Sequence, residues 1–326
     1  MRVAPALLLL AAVAPLAAAD LGSIDREFER RMKVAREEVL AQKLEALEAY
    51  AGDPANAKAA DLVPAMFAAA DLAAMLEKHA AAREWATRVL ADDGDGAFGA
   101  RARFLAGNAT LRLGGESAKA KELLLGAIDR AELTNESVQT TFDAAEALAS
   151  HLLDSGDRDG ALQAWEAVRA KLPDPRIEEF IQGRVRVIQS IGKEPPALAA
   201  KDLEGKQVTL EQLRGKVVLL DFWASWCAPC VEELPNVVAV HEEFKDRGFE
   251  VLGVSLDRER ERLDGFLKEH PMPWRQVFDL GGALAQLYEV DSIPSTWLIG
   301  RDGKIARRNL RGEALRAAVA RLVATK

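Results

Sequence analysis

Val217-Val218-Leu219-Leu220-Asp221-Phe222-Trp223-Ala224-Ser225-Trp226-Cys227-Ala228-Pro229-Cys230 is the stretch that decides the fold of this chain. Val217 to Trp223 is an apolar run of strand length, rich in β-branched and aromatic residues. It leads into a Cys-X-X-Cys, and Val231 to Arg247 continues with helical periodicity. Pro229 falls in the first turn of that helix, where a missing N–H does little harm. A helix N-terminus has unpaired N–H groups and the positive end of the helix dipole, so it favours a sulfur anion at Cys227. Thiol–disulfide exchange needs such a thiolate, whereas an unperturbed thiol is mostly protonated near neutral pH. Cys227 is therefore the expected attacking thiol, partly covered by Trp226. Cys230, one turn on, is expected to be the more buried, resolving thiol.

Outward from this stretch, strands and helices alternate. Asp202-Leu203-Glu204-Gly205-Lys206 reads as the turn of a short hairpin. Phe249 to Ser255 reads as a second apolar strand, followed by helices over Glu259 to His270 and Ala283 to Tyr288. Thr296 to Ile299 and Lys304 to Asn309 form a hairpin around Asp302-Gly303, and Glu313 to Val323 is an amphipathic helix. The segment Ile293-Pro294-Ser295-Thr296 sets a proline just ahead of that hairpin. This order predicts an α/β domain over residues 198–326, with a central mixed sheet and helices on both faces.

Gly192, Pro195 and Pro196 break the preceding helical pattern, so residues 191–197 read as a linker. From Asp25 to Ser190, apolar residues recur at three- and four-residue spacing with Ala and Leu dominant. That predicts an all-α domain over residues 20–190. Three stretches resemble one another: Ala65 to Leu90, Phe104 to Ile128 and Ala145 to Pro173. The last, with Gly156-Asp157 at a turn and Ala161, Trp165 and Pro173 after it, resembles a tetratricopeptide-type helical hairpin. The copies are spaced more widely than in that family, and an irregular helical bundle is the alternative. The domain is expected to recognise a protein partner.

Met1 to Ala19 reads as a secretory signal, with Arg2, an apolar run from Val3 to Pro15, and Ala17-Ala18-Ala19 as a cleavage pattern. An uncleaved membrane anchor is the alternative, although the run is shorter than the ~20 residues of a spanning helix. Export, to a periplasmic or other extracytoplasmic space, puts the chain where disulfides persist. Yet its 326 residues hold only two cysteines, three positions apart. They cannot staple distant segments, so they serve chemistry. A net charge of −8 gives no electrostatic reason to expect nucleic-acid binding.

From Lys193 to Lys326 the chain resembles the thioredoxin superfamily, and within it the exported TlpA/ResA-like branch. The run Cys227-Ala228-Pro229-Cys230-Val231-Glu232-Glu233-Leu234-Pro235 is similar to that branch's CxPCxxExP signature. Gly253-Val254-Ser255-Leu256-Asp257 is similar to its strand-to-helix junction, and Ser292-Ile293-Pro294-Ser295-Thr296 to its cis-proline loop. The resemblance implies a cis Pro294 that faces the dithiol and blocks metal capture. It implies that the backbone around Ile293 pairs with an extended substrate segment. It implies that Asp221, its pKa raised by burial, accepts a proton from Cys230, and that Glu233 tunes the site. Pro235 should bend its helix. No cofactor or metal is implied. The implied partners are a disulfide-containing protein and a membrane thiol donor, with reduction the favoured direction.

Three other readings compete. Zinc would need four ligands, and His79, His151, His241 and His270 show no ligand-like spacing with the cysteines. Peroxiredoxins place a proline seven residues and a Thr or Ser three residues before the reactive cysteine, where this chain has Leu220 and Ala224. An interaction protein would use the helical domain alone, with the second domain as a scaffold. The remaining charged features read blandly: Asp257 to Arg262 as a solvated helix start, and Arg301, Arg307, Arg308 and Arg311 as a solvated hairpin face. The histidines read as surface or capping residues, Trp274 and Trp297 as core or rim.

Overall fold

The computed structural model describes residues 21–325, so the Met1 to Ala19 segment lies outside the described residues. Among them, no helix is long and apolar enough to cross a membrane. The chain divides into two compact units, Met1–Gln182 and Gly183–Lys326.

The first unit is helical: α1 (Leu21–Gly52), α2 (Leu62–Met75), α3 (His79–Asp93), α4 (Gly99–Leu113), α5 (Ser117–Asp129), α6 (Asn135–Asp154) and α7 (Arg158–Lys171). A further helix, α8 (Pro175–Ser190), begins here and ends in the second unit. The three stretches that look alike in sequence are the hairpins α2–α3, α4–α5 and α6–α7, each helix packed on its successor. Alanines make this possible: Ala69, Ala73, Ala86, Ala120, Ala145 and Ala161 are all buried in the contacts. At Gly107 the approach is closer still, since a Cβ would lie 2.9 Å from Leu124 Cγ on α5. Arg101 on α4 bonds Asp71 on α2 at 3.0 Å and Asp143 on α6 at 3.3 Å, tying alternate helices together. Trp165, 1% exposed, packs against Phe142 and Phe180, which stack on each other.

In the second unit, β1 (Ala199–Lys201) and β2 (Gln207–Thr209) form the expected antiparallel hairpin. The main sheet has the order β5-β4-β3-β6-β7. Its strands are β3 (Val217–Trp223), β4 (Phe249–Ser255), β5 (Arg275–Phe278), β6 (Ser295–Ile299) and β7 (Ile305–Arg308). The strands β3, β4 and β5 run parallel, and β6 and β7 return antiparallel. Between them lie α9 (Ala228–Phe244), α10 (Arg260–Glu269) and α11 (Ala283–Leu287), and α12 (Gly312–Ala324) closes the chain. The residues read as a linker are held: the Gly192 N–H donates to Ile305 O, Ile305 N–H to Lys193 O, and Tyr288 Oη to Pro196 O.

Alternation along β3 builds the two faces. Val217 and Leu219 join Val237, Val240 and Phe244 of α9 and Leu315, Val319 and Val323 of α12. Leu220 and Phe222 face the other way, against Leu252, Val254, Tyr288 and Trp297. Asp221 has the parity of Val217 and Leu219, so it lies on the α9/α12 face, near the end of the strand. Trp274 and Trp297 are core residues. His241 is also buried, between Trp274 and Phe249, which corrects its reading as a surface or capping residue.

Replacing Trp165 by Ala removes the centre of the aromatic cluster in the helical unit. The expected cost is about 3–5 kcal/mol, read as a lower urea midpoint in far-UV circular dichroism.

Candidate active site

Parallel pairing brings the C-terminal ends of β3, β4 and β5 to one end of the sheet, and the antiparallel β6 starts there. The candidate residues from four loops meet at that end. Cys227 and Cys230 form a disulfide with Cα atoms 5.3 Å apart. Cys227 is the N-cap of α9, and its Sγ accepts the Cys230 N–H at 3.3 Å. The helix thus starts at Ala228, three residues before its apolar periodicity begins. Pro229 sits in the first turn, exposed, and α9 runs on through Pro235.

Two expectations about burial are corrected. Cys230 is 7% exposed and Cys227 5%, so Cys230 is not the more buried residue in the disulfide form. Trp226 is 60% exposed and lies open instead of covering Cys227. The pair is enclosed by Trp223, Ala224 and Leu263, with Phe266, Met272, Phe278 and Ile293 around them. Ile293 thus packs against the cluster that contains the dithiol, and the Ile293–Pro294 peptide bond is cis. Pro294 and Cys230 line the same small cavity, together with Asp221, Glu233, Thr296 and Arg311.

Asp221 sits behind Cys230 on the α9/α12 face. Burial pushes its carboxyl up to about 7, the Glu233 carboxylate pushes the same way, and the Arg311 guanidinium opposes both. Glu233 is not a solvated helix residue. Its Oε1 accepts the Gly312 N–H at 2.8 Å and Asn236 Nδ2 at 2.7 Å, so it caps the start of α12 from another helix.

The structure adds positions that sequence reasoning passed over. Asp257 is 2% exposed, which corrects its reading as part of a solvated helix start. Its carboxylate accepts Ser225 N–H at 3.1 Å, Ser225 Oγ–H at 2.6 Å and Ser255 Oγ–H at 2.9 Å. It therefore ties the loop that delivers Cys227 to the end of β4. Trp223 Nε1 donates to Gln276 Oε1 at 3.0 Å. Gln276 reaches that point only because residue 253 is glycine, where a Cβ would lie 2.1 Å from its Oε1. Among the described residues, no group of three or more His, Cys, Asp or Glu side chains is placed to hold a metal ion.

A mixed sheet with a Cys-X-X-Cys disulfide capping its first helix and a cis-proline beside it defines a thioredoxin-fold thiol–disulfide oxidoreductase. Residues 191–308 match the AhpC/TSA family. The thiol-disulfide oxidoreductase ResA of Bacillus thuringiensis subsp. konkukian is 34% identical over 123 residues, 38% of this chain and 70% of that protein. ResA of Geobacillus thermodenitrificans is 30% identical over 118 residues, 36% of this chain and 68% of the relative. Among solved structures, the thioredoxin domain of a thiol-disulfide oxidoreductase from Bacteroides vulgatus is similar over 41% of this chain and 97% of that domain. Its identity is 35% and the TM-score 0.39. The chain belongs to the ResA family of thiol-disulfide oxidoreductases.

A carboxyl raised in the folded state stabilises it below the unfolded pKa near 4, and that stability is lost as pH rises through about 7. Oxidised wild-type protein should therefore lose on the order of 2 kcal/mol relative to Asp221→Asn between pH 5 and pH 8. Urea unfolding at the two pH values measures the difference.

Proposed function

We propose that this chain is an exported reductant of protein disulfides, working through a mixed disulfide on Cys227. The observation that carries this reading is the placement of Cys227 as N-cap of α9 with a carboxyl of raised pKa behind Cys230. In the dithiol form, the α9 N-terminus stabilises a Cys227 thiolate. That thiolate attacks one sulfur of the substrate disulfide, forms the mixed disulfide and expels the other sulfur as a thiolate. The Asp221 carboxylate takes the Cys230 proton, and the Cys230 sulfur attacks Cys227 Sγ. The second substrate thiolate leaves, the Cys227–Cys230 disulfide forms, and two electrons have passed to the substrate.

Ile293 and Pro294 serve as the docking edge for an extended substrate segment in this reading, and the exposed Trp226 precedes Cys227 in the same loop. Pro229 and Trp226 shape the approach to Cys227, and Glu233 sets the charge around Asp221. A membrane thiol donor returns the disulfide to the dithiol form. The signal-like Met1 to Ala19 segment supports an extracytoplasmic location. The helical unit, with its hairpins starting at Leu62, Gly99 and Asn135, is read as a tetratricopeptide-like recognition domain for a protein partner. The domain assignment is a helical region over residues 20–190, a connecting segment over 191–197 and the redox domain over 198–326.

A peroxidase of the peroxiredoxin type would carry a proline seven residues and a Thr or Ser three residues before the reactive cysteine, where Leu220 and Ala224 stand. Cys227→Ser should abolish turnover of a protein disulfide such as insulin. Cys230→Ala should hold the mixed disulfide, visible as a thiol-sensitive mass shift. A Cys227–Cys230 potential well below about −200 mV supports reduction, and one near the oxidising end of the range would reverse the direction. Turnover by Cys227→Ser equal to wild type would sink the enzyme reading.

A further inference from the structure

Three of the four arginines that look like one basic face in sequence, Arg301, Arg308 and Arg311, are separated by the fold. Arg301 lies at the far end of the sheet, donating to Gly215 O, Arg247 O and Val323 O. The Arg308 guanidinium lies 3.7 Å over the Trp297 ring. Arg311 arrives at the dithiol end, and its path is held there. The Asn309 N–H donates to Thr296 O at 2.8 Å and Thr296 Oγ1 to Leu310 O at 3.2 Å.

From that anchored backbone, Arg311 Nη2 donates to Pro294 O at 3.0 Å. The next residue, Gly312, gives its N–H to Glu233 Oε1. Two consecutive residues thus grip the cis-proline loop on one side and α9 on the other. Arg311 also lines the cavity that holds Cys230, Asp221 and Glu233. The groups facing Asp221 are Cys230 and Glu233 from α9 and Arg311 from the turn before α12, while its strand partners Gly253 and Thr296 are uncharged. Arg311 is the one cation in that set.

We infer that Arg311 is a positioning residue for the exchange reaction, which holds the substrate-facing proline loop while opposing the charge of the two carboxylates beside Cys230. The inference rests on the reading of Asp221 as the acceptor of the Cys230 proton. Its consequence is a link between two things that are otherwise separate. A movement of the Pro294 carbonyl moves the cation, and the cation sets how readily Asp221 takes a proton. A substrate strand that pairs beside Pro294 therefore acts on the resolving step as well as on docking.

Arg311→Met and Arg311→Lys test this, with far-UV circular dichroism as a check on folding. The readouts are the pH dependence of single-turnover oxidation of the reduced protein, and KM for a protein disulfide such as that of oxidised insulin compared with a small aromatic disulfide. Arg311→Met should move the apparent pKa of the rate upward by about one unit. It should also raise KM for the protein disulfide several-fold, with KM for the small disulfide unchanged. Arg311→Lys should restore the pKa through its charge, while KM stays raised because an ammonium lacks the planar reach to Pro294 O. Asp221→Asn run alongside separates the two readings. If Asp221→Asn keeps the wild-type pH limb, the acid's role fails and the proposal with it. If Asp221→Asn loses the limb but Arg311→Met leaves it unmoved, the proposal alone is overturned.

Discussion

Helix α9 is capped by Cys227, and in the proposed mechanism its unpaired N–H groups are what would make a sulfur anion tolerable there. That placement reaches through the whole redox unit. The helix can start at that height only if β3 ends at Trp223, and β3 is held in register by β4 on one side and β6 on the other. The same pairing carries Ser255 and Asp257 to the level of the cysteine loop, where the Asp257 carboxylate catches Ser225. A carboxylate 2% exposed is costly unless its lone pairs are filled, and here three donors fill them. The loop's conformation and the acid's burial stabilise each other.

The acid pair follows from the parity of the same strand. Asp221 must share a face with Val217 and Leu219, and that face is covered by α9 and α12. Both helices begin at the dithiol end. A carboxyl on that face near the end of β3 therefore meets the first turn of one helix and the start of the other. Desolvation, a second carboxylate and one guanidinium then act on it together, and desolvation is the largest of the three. Glu233 is used twice, as a neighbour that raises Asp221 and as the cap of α12.

Much of this was legible in the residues. The bounds of β3 and β4 were readable because both are β-branched and apolar on two faces. The hairpin at Asp302-Gly303 and the turn at Asp202 to Lys206 carried their own turn chemistry. The strand β5 was not readable, since Arg275-Gln276-Val277-Phe278 is short and begins polar, and its burial is conferred by β4. Asp257 was hidden in a run of alternating charge whose other members are solvated. Arg311 was hidden among arginines that diverge only once β6, β7 and α12 are in place. The exposure of Trp226 likewise depends on what the other loops leave uncovered, and spacing carries no record of that.

Gly253 bears on how this sequence can change over time. Its missing side chain is the space that Gln276 Oε1 occupies, and Gln276 in turn holds the indole of Trp223. Residues 223, 253 and 276 stand on three adjacent strands and behave as one letter spelled in three places. Among natural relatives, a side chain at the position of Gly253 should appear together with a shorter residue at the position of Gln276. The tryptophan ahead of the cysteines is then left to find another acceptor. A family tree read at these three columns would record the fit of one indole against one missing methyl group.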